Sequence, residues 1–362
     1  MTSLSDLPLR DNLVGQQPYG APQDAVRVSL NVNENTHPIP EHVAIDIVQS
    51  LARAVTGVNR YPDREFSELR DALAGYLGHD LGADQVWAAN GSNEVLQQVL
   101  QAFAGPGRSL LSFTPTYSMY PLLAAGTDTA WIGVERPDDY ALTPEGVVAA
   151  LREHRPDVAI LCGPNNPTGT TLDREVILAA YDAFEGMLVI DEAYQEFDTE
   201  RESAVALLPG RHRLIVSRTM SKAFAFAGVR LGYLAADPAV IDALRLVRLP
   251  YHLSALTQAA ATAAIRHADA MLATVADISA QRDRLAGALT ELGYTVHPSG
   301  ANFLLVGGFA DPEATFAELR AQGILIRNLS IPGHLRITAG TEAETGAVID
   351  AIAALGPGGA RG

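Results

Sequence analysis

One lysine of the sequence stands where its amine would be nucleophilic. Lys222 follows the apolar run Leu214–Ser217 and has alanine, phenylalanine and methionine residues around it. Burial penalises the ammonium form of an amine, so the pKa of such a lysine falls toward the neutral, nucleophilic state. Ser221 and Arg230 add a hydroxyl and a cation that could bind a phosphate. A lysine after a strand is common, so this segment alone does not define a site.

Two further apolar runs end in polar residues of complementary chemistry. Asp191 closes the run Met187–Ile190, and a buried carboxylate needs a cationic or hydrogen-bonding partner. A protonated ring nitrogen would be one such partner, and an ordinary arginine or a metal ion would be another. Asn166 lies in the loop Gly163–Gly169 after Val158–Cys162 and could donate to a ring oxygen, although the prolines and glycines there could equally serve a turn.

A third candidate is the start of a helix. The segment Asn90–Glu94 precedes apolar residues at helical spacing, and Ser92 or Asn93 is predicted to cap that helix. Free N–H groups, small side chains and a hydroxyl at a helix N-terminus are typical of phosphate sites, but most capped helices bind nothing.

The sequence lacks the signature motifs of other classes of enzyme. The sequence has no G-x-G-x-x-G, G-x-x-x-x-G-K-[ST], H-E-x-x-H or G-x-S-x-G pattern. Its nine histidines show no zinc-ligand spacing, so we expect no metal site and place each histidine at the surface or in packing. Cys162 is the only cysteine, which excludes an intramolecular disulfide and fits a reducing compartment.

Charge and hydropathy restrict the partners. The formal net charge is −16, which repels nucleic acid, so an anionic ligand must be bound by a few placed arginines and backbone N–H groups. Arginine, aspartate, glycine or proline interrupts every apolar run before the roughly 18 residues that span a bilayer. Residues 1–13 lack the basic and apolar regions of a signal peptide. We therefore expect a soluble, cytoplasmic enzyme with small-molecule substrates, no membrane anchor and no nucleic-acid partner.

The elements that position these residues follow an α/β pattern. Short, continuously apolar runs predict a mostly parallel sheet between helices, at Ser109–Phe113, Val158–Cys162, Met187–Ile190, Leu214–Ser217 and Leu231–Ala235. One long connecting helix is predicted from Ser254 to about Leu292. A smaller α+β domain follows, with strands at Asn302–Val306, Ile324–Arg327 and Leu335–Thr338 around the helical stretch Pro312–Gln322.

Four segments are predicted. Residues 1–40 pack on the active site and the small domain, and residues 41–255 form the large domain. Residues 256–355 form the connecting helix and the small domain, and residues 356–362 are a glycine-rich, disordered tail.

Taken together and in order, the motifs closely resemble fold-type I pyridoxal-phosphate (PLP) enzymes, and among them the histidinol-phosphate aminotransferases of the aspartate aminotransferase superfamily. The resemblance covers nearly the whole chain. Its motifs are Pro18-Tyr19-Gly20, Asn33-Glu34-Asn35, Arg60-Tyr61-Pro62, Gly91–Glu94, Pro115–Met119, Asn165–Gly169, Asp191–Tyr194, Arg218–Lys222, Arg230, Ile326-Arg327 and Leu335–Thr338.

The resemblance implies a role for each matching position. Lys222 is the Schiff-base lysine and the proton shuttle, Asp191 is the partner of the pyridine nitrogen, and Asn166 and Tyr194 donate to the phenolic oxygen of the ring. Tyr117 stacks on the ring. The remaining cofactor-binding positions, most of them around the phosphate, are Ser92, Asn93, Glu94, Thr219, Ser221 and Arg230, with Tyr61 supplied by the second subunit of a homodimer.

The resemblance also implies the substrate site. Arg336 binds the carboxylate of glutamate, and the phosphate of histidinol phosphate is bound by Arg336 and Arg327. Tyr19, Tyr251 and Asn93 complete the pocket. The chain departs from the family in having Thr36-His37 where a proline and an aromatic residue are usual. His37 is expected at the surface, although it could alter the mouth of the pocket and hence the preferred amino donor.

The predicted function is PLP-dependent transamination between histidinol phosphate or imidazole-acetol phosphate and glutamate or 2-oxoglutarate, in histidine biosynthesis. The alternative on the same scaffold is an aromatic or broad-specificity aminotransferase. A PLP-dependent decarboxylase or lyase and a non-catalytic ligand-binding module are more distant alternatives. No helix-turn-helix segment accompanies the chain to support the last of these.

Overall fold

A seven-stranded sheet forms the centre of the molecule. The computed structural model describes residues 6–18 and 20–356, so Tyr19 and most of the predicted tail lie outside the described residues. The strand order is β2-β8-β7-β6-β5-β3-β4. The strands are β2 Val86–Ala89, β3 Ser109–Thr114, β4 Ala130–Glu135, β5 Val158–Cys162, β6 Met187–Asp191, β7 Leu214–Thr219 and β8 Gly232–Ala236.

Helices cover this sheet and build the rest of the fold. They are α1 Glu41–Val55, α2 Ser67–Leu77, α3 Ser92–Phe103, α4 Met119–Gly126, α5 Pro144–His154, α6 Arg174–Ala183, α7 Pro238–Val247, α8 Ala255–Arg266, α9 Ala268–Leu272, α10 Thr274–Glu291, α11 Pro312–Ala321 and α12 Glu342–Leu355. Every residue of β5, β7 and β8 is buried, as expected for strands covered on both faces. No helix within the described ranges is both long and apolar enough to cross a membrane.

The order of the central strands positions the candidate residues. Strands β5, β6 and β7 are neighbours and run parallel. Their carboxyl ends, followed by Asn166, Asp191 and Lys222, therefore meet at one edge of the sheet. Ligands bind at this edge in open α/β sheets.

A second, smaller sheet lies near the C-terminus. Strands β9 Thr295–Val296, β10 Phe303–Gly307 and β12 His334–Thr338 form an antiparallel sheet in the order β12-β10-β9. The N-terminal strand β1 Val28–Ser29 pairs in parallel with β11 Ile324–Leu325, which ties the N-terminal segment to this region. One hydrophobic cluster lies around the large sheet and another around the small one. The predicted boundaries of the four segments stay predictions.

The structure corrects three local predictions. The strand predicted at Leu231–Ala235 begins at Gly232 and runs antiparallel to both neighbours, because burial on both faces gives the same apolar pattern in either direction. The single long helix is three helices, α8, α9 and α10, which break near His267 and Ala273. Neither Ser92 nor Asn93 caps α3, because Gly91 is the N-cap residue and no side chain caps the helix.

A buried ion network fixes the segment after β6 to β7. Arg218 donates from Nε to Glu192 at 2.9 Å and from Nη1 to Glu196 at 2.8 Å, and all three side chains are less than 10% exposed. Glu192 also accepts from the Ser203 hydroxyl and the backbone N–H of Ala204. These contacts hold the turn that follows Asp191.

Loss of Arg218 should therefore destabilise the fold strongly. Arg218→Ala leaves two carboxylates buried without their cation, and we expect the free energy of unfolding to fall by about 3–5 kcal/mol. Urea unfolding measures the change. The matched control is Arg174→Ala, which removes an ion pair to Glu202 whose side chains are 58% and 60% exposed, with an expected change of about 0–1 kcal/mol. Equal losses in the two variants would contradict the role assigned to the network.

Candidate active site

A cavity of about 500 Å³ opens at the carboxyl edge of the large sheet. Its walls come from three parts of the chain: the N-terminal segment, the loops after the central strands, and β12. Most of the predicted cofactor residues line it, namely Ser92, Asn93, Tyr117, Asn166, Asp191, Tyr194, Thr219, Ser221, Lys222 and Arg230, together with the predicted substrate residue Arg336. The fold therefore brings together residues that lie as far apart as positions 92 and 336.

Asp191 is a buried carboxylate with one open position. Its Oδ2 accepts a hydrogen bond from the Tyr120 hydroxyl at 2.7 Å, whereas Oδ1 has no partner although it is inaccessible to solvent. Burial raises the pKa of Asp191 to about 6, and the hydrogen bond from Tyr120 opposes this rise. Because an unpaired buried carboxylate oxygen is costly, Oδ1 is suited to receive a proton donor from a ligand in the cavity.

Lys222 is prepared as a nucleophile. Its Nζ donates to the backbone carbonyl of Val32 at 2.7 Å. Burial lowers the pKa of Lys222 to about 7, the nearby cations Arg336 and Arg230 lower it further, and Glu34 opposes them. A large fraction of the amine is therefore neutral near pH 7, the form that attacks a carbonyl carbon.

Hydrogen bonds fix the side chains opposite Lys222. The buried Tyr194 hydroxyl accepts from Asn33 Nδ2 at 2.9 Å and from Asn166 Nδ2 at 3.4 Å. Arg336 donates from Nη1 to Asn166 Oδ1 and from Nη2 to the Asn31 carbonyl, both at 2.6 Å. Burial raises the pKa of Tyr194, so its hydroxyl stays protonated and can donate to an anionic oxygen of a ligand.

The other end of the cavity gathers groups that suit an anion. The first turn of α3 carries Ser92, and Arg230 lies beside the same turn and donates to Ser221 Oγ at 3.5 Å. A Cβ added to Gly91 would lie 2.4 Å from Arg230 Nη2, and one added to Gly232 would lie 2.1 Å from the Ser92 nitrogen. Gly232 is needed because its Cβ would meet backbone atoms, and Gly91 because its φ of +87° favours glycine. This packing places a helix N-terminus, hydroxyls and a guanidinium together.

A smaller cavity of about 260 Å³ adjoins the first. Tyr117, Asn166 and Arg336 line both cavities, whereas Arg327 and Trp131 line only the smaller one. The backbones of Arg327 and Arg336 pair through two hydrogen bonds of 3.0 and 2.9 Å, so the two guanidinium groups leave adjacent positions. The smaller cavity is therefore suited to a ligand that ends in a carboxylate or a phosphate.

Several predicted residues do not line either cavity. The Glu94 carboxylate accepts from the Asn90 N–H and from Gln98, at the far side of the α3 turn. Tyr61 is 81% exposed and stacks on Tyr251, with ring centroids 4.5 Å apart. His37 is absent from both linings and its backbone N–H donates to Asn35, while Thr36 donates to Glu344. The predicted contact of Tyr19 lies outside the described residues.

The sequence analysis did not predict a role for three residues that hold the candidate site residues in place. Tyr120 holds Asp191, Asn33 holds Tyr194, and the Val32 carbonyl holds Lys222. Tyr117 precedes α4 and Tyr120 lies in its first turn, and the edge-on contact of the two rings, with centroids 5.6 Å apart, comes from the tertiary structure. Asn33 and Val32 belong to a segment without periodicity. Asn33 was part of a motif with no role assigned to it, and only the tertiary contacts show what the two residues hold.

The cavity fits a planar pyridine cofactor that carries an aldehyde and a phosphate. The free oxygen of Asp191 suits a protonated ring nitrogen, the Tyr194 and Asn166 pair suits a ring hydroxyl oxygen, and Lys222 suits the aldehyde carbon. The α3 N-terminus with Arg230 suits the phosphate.

Comparisons with known proteins agree with this chemistry. The family model "Aminotransferase class I and II" matches residues 26–352. The chain is 57% identical to a histidinol-phosphate aminotransferase of Paenarthrobacter aurescens, over 97% of this chain and 96% of that protein. It is 54% identical to the one of Thermobifida fusca, over 94% of each. The solved structure of the Sinorhizobium meliloti histidinol-phosphate aminotransferase in complex with pyridoxal-5'-phosphate is similar in fold, with a TM-score of 0.82, 24% identity and 91% and 92% coverage of the two chains. The predicted fold class is confirmed.

The Asp191 carboxylate should lower the free energy of unfolding of the ligand-free protein at neutral pH. Its ordinary pKa is 3.8, and burial raises it to about 6, so the folded state disfavours the carboxylate once the pH exceeds 3.8. Asp191→Asn removes this cost, and we expect the free energy of unfolding to rise by about 3 kcal/mol at pH 8 and by about half of that at pH 5.

Urea unfolding of the two ligand-free proteins across this pH range measures the difference. The control is Asp182→Asn, at an exposed carboxylate of α6, with little expected change at any pH. A gain for Asp191→Asn that does not shrink on acidification would contradict the assigned titration.

Proposed function

The chain belongs to the aminotransferase class I and II family, and from this premise we propose that it is a PLP-dependent histidinol-phosphate aminotransferase. The observation that carries the proposal is the convergence of Lys222, Asp191 with its free Oδ1, and the α3 N-terminus on one cavity. A second cavity with two arginines adjoins it. The curated relatives with this name match nearly the full length of the chain.

The cofactor residues act by binding and orienting. When bound, PLP supplies an electron sink that stabilises negative charge at the carbon next to the substrate nitrogen. Asp191 Oδ1 would hold the ring nitrogen protonated, and the Tyr120 hydroxyl keeps the carboxylate in place through Oδ2. Tyr117, which lines the cavity, would stack on the ring, and the lining residues Ser92, Ser221, Thr219 and Arg230 would bind the phosphate. Asn93 lies at the same helix start.

Lys222 performs the acid–base chemistry. Its neutral amine would take a proton from the substrate carbon and, as the ammonium, return it to the neighbouring position. A pKa near 7 suits both steps, because the neutral and protonated forms are then both available at working pH. The Val32 carbonyl, 2.7 Å from Nζ, restricts where the amine can lie.

The arginine-lined cavity supports two anionic substrates. Arg336, fixed by Asn166 and Asn31, is placed to bind the carboxylate of glutamate. Histidinol phosphate has a phosphate instead, which extends toward Arg327 in the smaller cavity. Both half-reactions then use one lysine and one cavity, so glutamate leaves as 2-oxoglutarate before imidazole-acetol phosphate is aminated.

A half-reaction tests the function directly. The purified holoenzyme is mixed with histidinol phosphate in the absence of an amino acceptor, and the visible absorption band of the bound cofactor is followed. We expect the band to shift to that of pyridoxamine phosphate and to return when 2-oxoglutarate is added. An unchanged band with histidinol phosphate but a shift with phenylalanine would replace the proposal by an aromatic aminotransferase.

Arg327→Ala identifies the phosphate subsite in the same assay. Removing one charged contact to the phosphate costs about 1.5–3 kcal/mol, or roughly 10- to 150-fold in kcat/KM for histidinol phosphate. Turnover of phenylalanine, which carries no phosphate, should stay within about twofold. A similar loss for both substrates would assign Arg327 a purely structural role.

We infer that the functional unit is a homodimer with shared sites, located in the cytoplasm, the compartment that a lone cysteine fits. Tyr61 is too exposed to serve its own cavity, and it stacks on Tyr251. Most of the exposed large apolar side chains lie in residues 45–61 and 246–256, the two stretches of chain that contain Tyr61 and Tyr251. They are Ile45, Val48, Val55, Val58, Tyr61, Leu246, Leu249, Tyr251 and Leu256. A second copy would cover this surface and receive Tyr61 near its phosphate site.

Mixing two inactive variants tests the shared site. Tyr61→Ala and Lys222→Ala chains are co-refolded, which forms hybrid dimers in which one site has both intact residues. Random pairing should restore up to about a quarter of wild-type activity. Lys222→Ala mixed with Asp191→Asn is the control, because both residues serve the same chain's site and no hybrid is intact. Recovery absent from the first mixture, with hybrids present in native mass spectrometry, would show that Tyr61 does not act across the dimer.

A further inference from the structure

Two histidines of the small sheet face each other outside the active site. His297 Nε2 and His334 Nε2 are 3.0 Å apart, although the residues are 37 positions apart in the chain. Both side chains are partly buried, and neither lines the cavities described above. The pair is therefore separate from the transamination machinery.

Strand register brings the two rings together. His334 lies opposite Gly307 on the central strand β10, and the His297 N–H bonds to the carbonyl of Leu305, two residues before Gly307. Residues that oppose each other, and residues two apart on one strand, point to the same face of a sheet. The two imidazoles thus extend over β10 from opposite sides.

Gly307 supplies the room for this contact. A Cβ at Gly307 would lie 2.6 Å from His334 Nε2 and 2.9 Å from its Cδ2, so any side chain there would displace the ring. On the other side, the Tyr140 ring packs edge-on against His297 with centroids 5.1 Å apart. The backbone at Gly307 and the Tyr140 ring thus restrict the positions of the two imidazoles.

The hydrogen bonds determine which nitrogens carry lone pairs. His334 Nδ1 lies 2.6 Å from the carbonyl oxygen of Pro332, which can only accept, so Nδ1 carries the proton and Nε2 carries the lone pair. A ligand histidine that donates its other N–H to a carbonyl is the usual arrangement at protein metal sites. Burial and the neighbouring His334 lower the pKa of His297, which favours its neutral, ligating form.

We propose that His297 and His334 form a binding site for a divalent late transition-metal ion, with Ni²⁺ and Cu²⁺ as the best fit. With metal–nitrogen distances of about 2.0–2.1 Å, the 3.0 Å separation corresponds to a nitrogen–metal–nitrogen angle of about 95°. Adjacent positions of a square-planar or octahedral ion have this angle, and neutral imidazole nitrogens are ligands that Ni²⁺ and, most tightly, Cu²⁺ bind. Binding replaces the proton between the two nitrogens, and that proton moves to His297 Nδ1 or to solvent.

The remaining positions of the ion belong to water. No group of three or more histidine, cysteine or acidic side chains suited to a metal occurs in residues 6–18 and 20–356. A two-histidine site of this kind is expected to bind reversibly and more weakly than a structural metal centre.

Isothermal titration of the untagged holoenzyme with Ni²⁺ tests the site. We expect one ion per chain for the wild type, binding at least tenfold weaker in His297→Ala and in Gly307→Ala, and wild-type binding in His212→Ala, an exposed histidine before β7. Aminotransferase activity should be unchanged in all three variants, which confirms that they fold.

Electron paramagnetic resonance of the protein with one equivalent of Cu²⁺ gives a second readout. Two nitrogen ligands are expected in the wild type, and fewer in His297→Ala. The proposal is overturned if Ni²⁺ shows no saturable binding, or if binding survives unchanged in His297→Ala. Tighter binding of Zn²⁺ than of Ni²⁺ would overturn the assigned class of metal.

Discussion

The cost of burying a carboxylate at the end of a strand organises this protein. Asp191 lies at the carboxyl end of β6, where it is 2% exposed and has one oxygen bound by Tyr120 and the other without a partner. An unpaired buried carboxylate is tolerated only when the rest of the fold is stable enough to carry it. The extensive core around the seven-stranded sheet provides that stability, and the cofactor proposed here would satisfy the open oxygen.

The same desolvation acts with opposite sign on Lys222. Burial disfavours the charged form of either group, so it raises the pKa of Asp191 and lowers that of Lys222. The two arginines near the amine strengthen the effect on the lysine, and they would also provide the positive field that the proposed cofactor and anionic substrates require. In a chain with a net charge of −16, Arg230 and Arg336 thus supply positive charge at this cavity.

Hydrogen bonds fix the side chains around Lys222, and Arg327 lies beside this fixed region. Arg336 is tied to Asn166 and to the N-terminal segment, and Asn33 of that segment binds Tyr194, so one hydrogen-bonded network joins β12, the loop after β5 and residues 31–33. Arg327 lies beside this network and lines only the smaller cavity. If the proposed roles hold, substrate selection would depend on Arg327 and its neighbours, while this network would keep the cofactor contacts constant.

The sequence by itself determined which candidate site residues lie at the ends of strands. Lys222, Asp191 and Asn166 each follow an apolar run, and because parallel strands align their carboxyl ends, their meeting could be predicted from local pattern alone. Strand direction was not determined in this way, since Leu231–Ala235 is apolar throughout and β8 is antiparallel. Only the tertiary structure decided the contacts of Tyr120 with Asp191, of Val32 with Lys222 and of His297 with His334. These partners are 71, 190 and 37 residues apart, and strand register and chain crossings, which leave no local signal, bring them together.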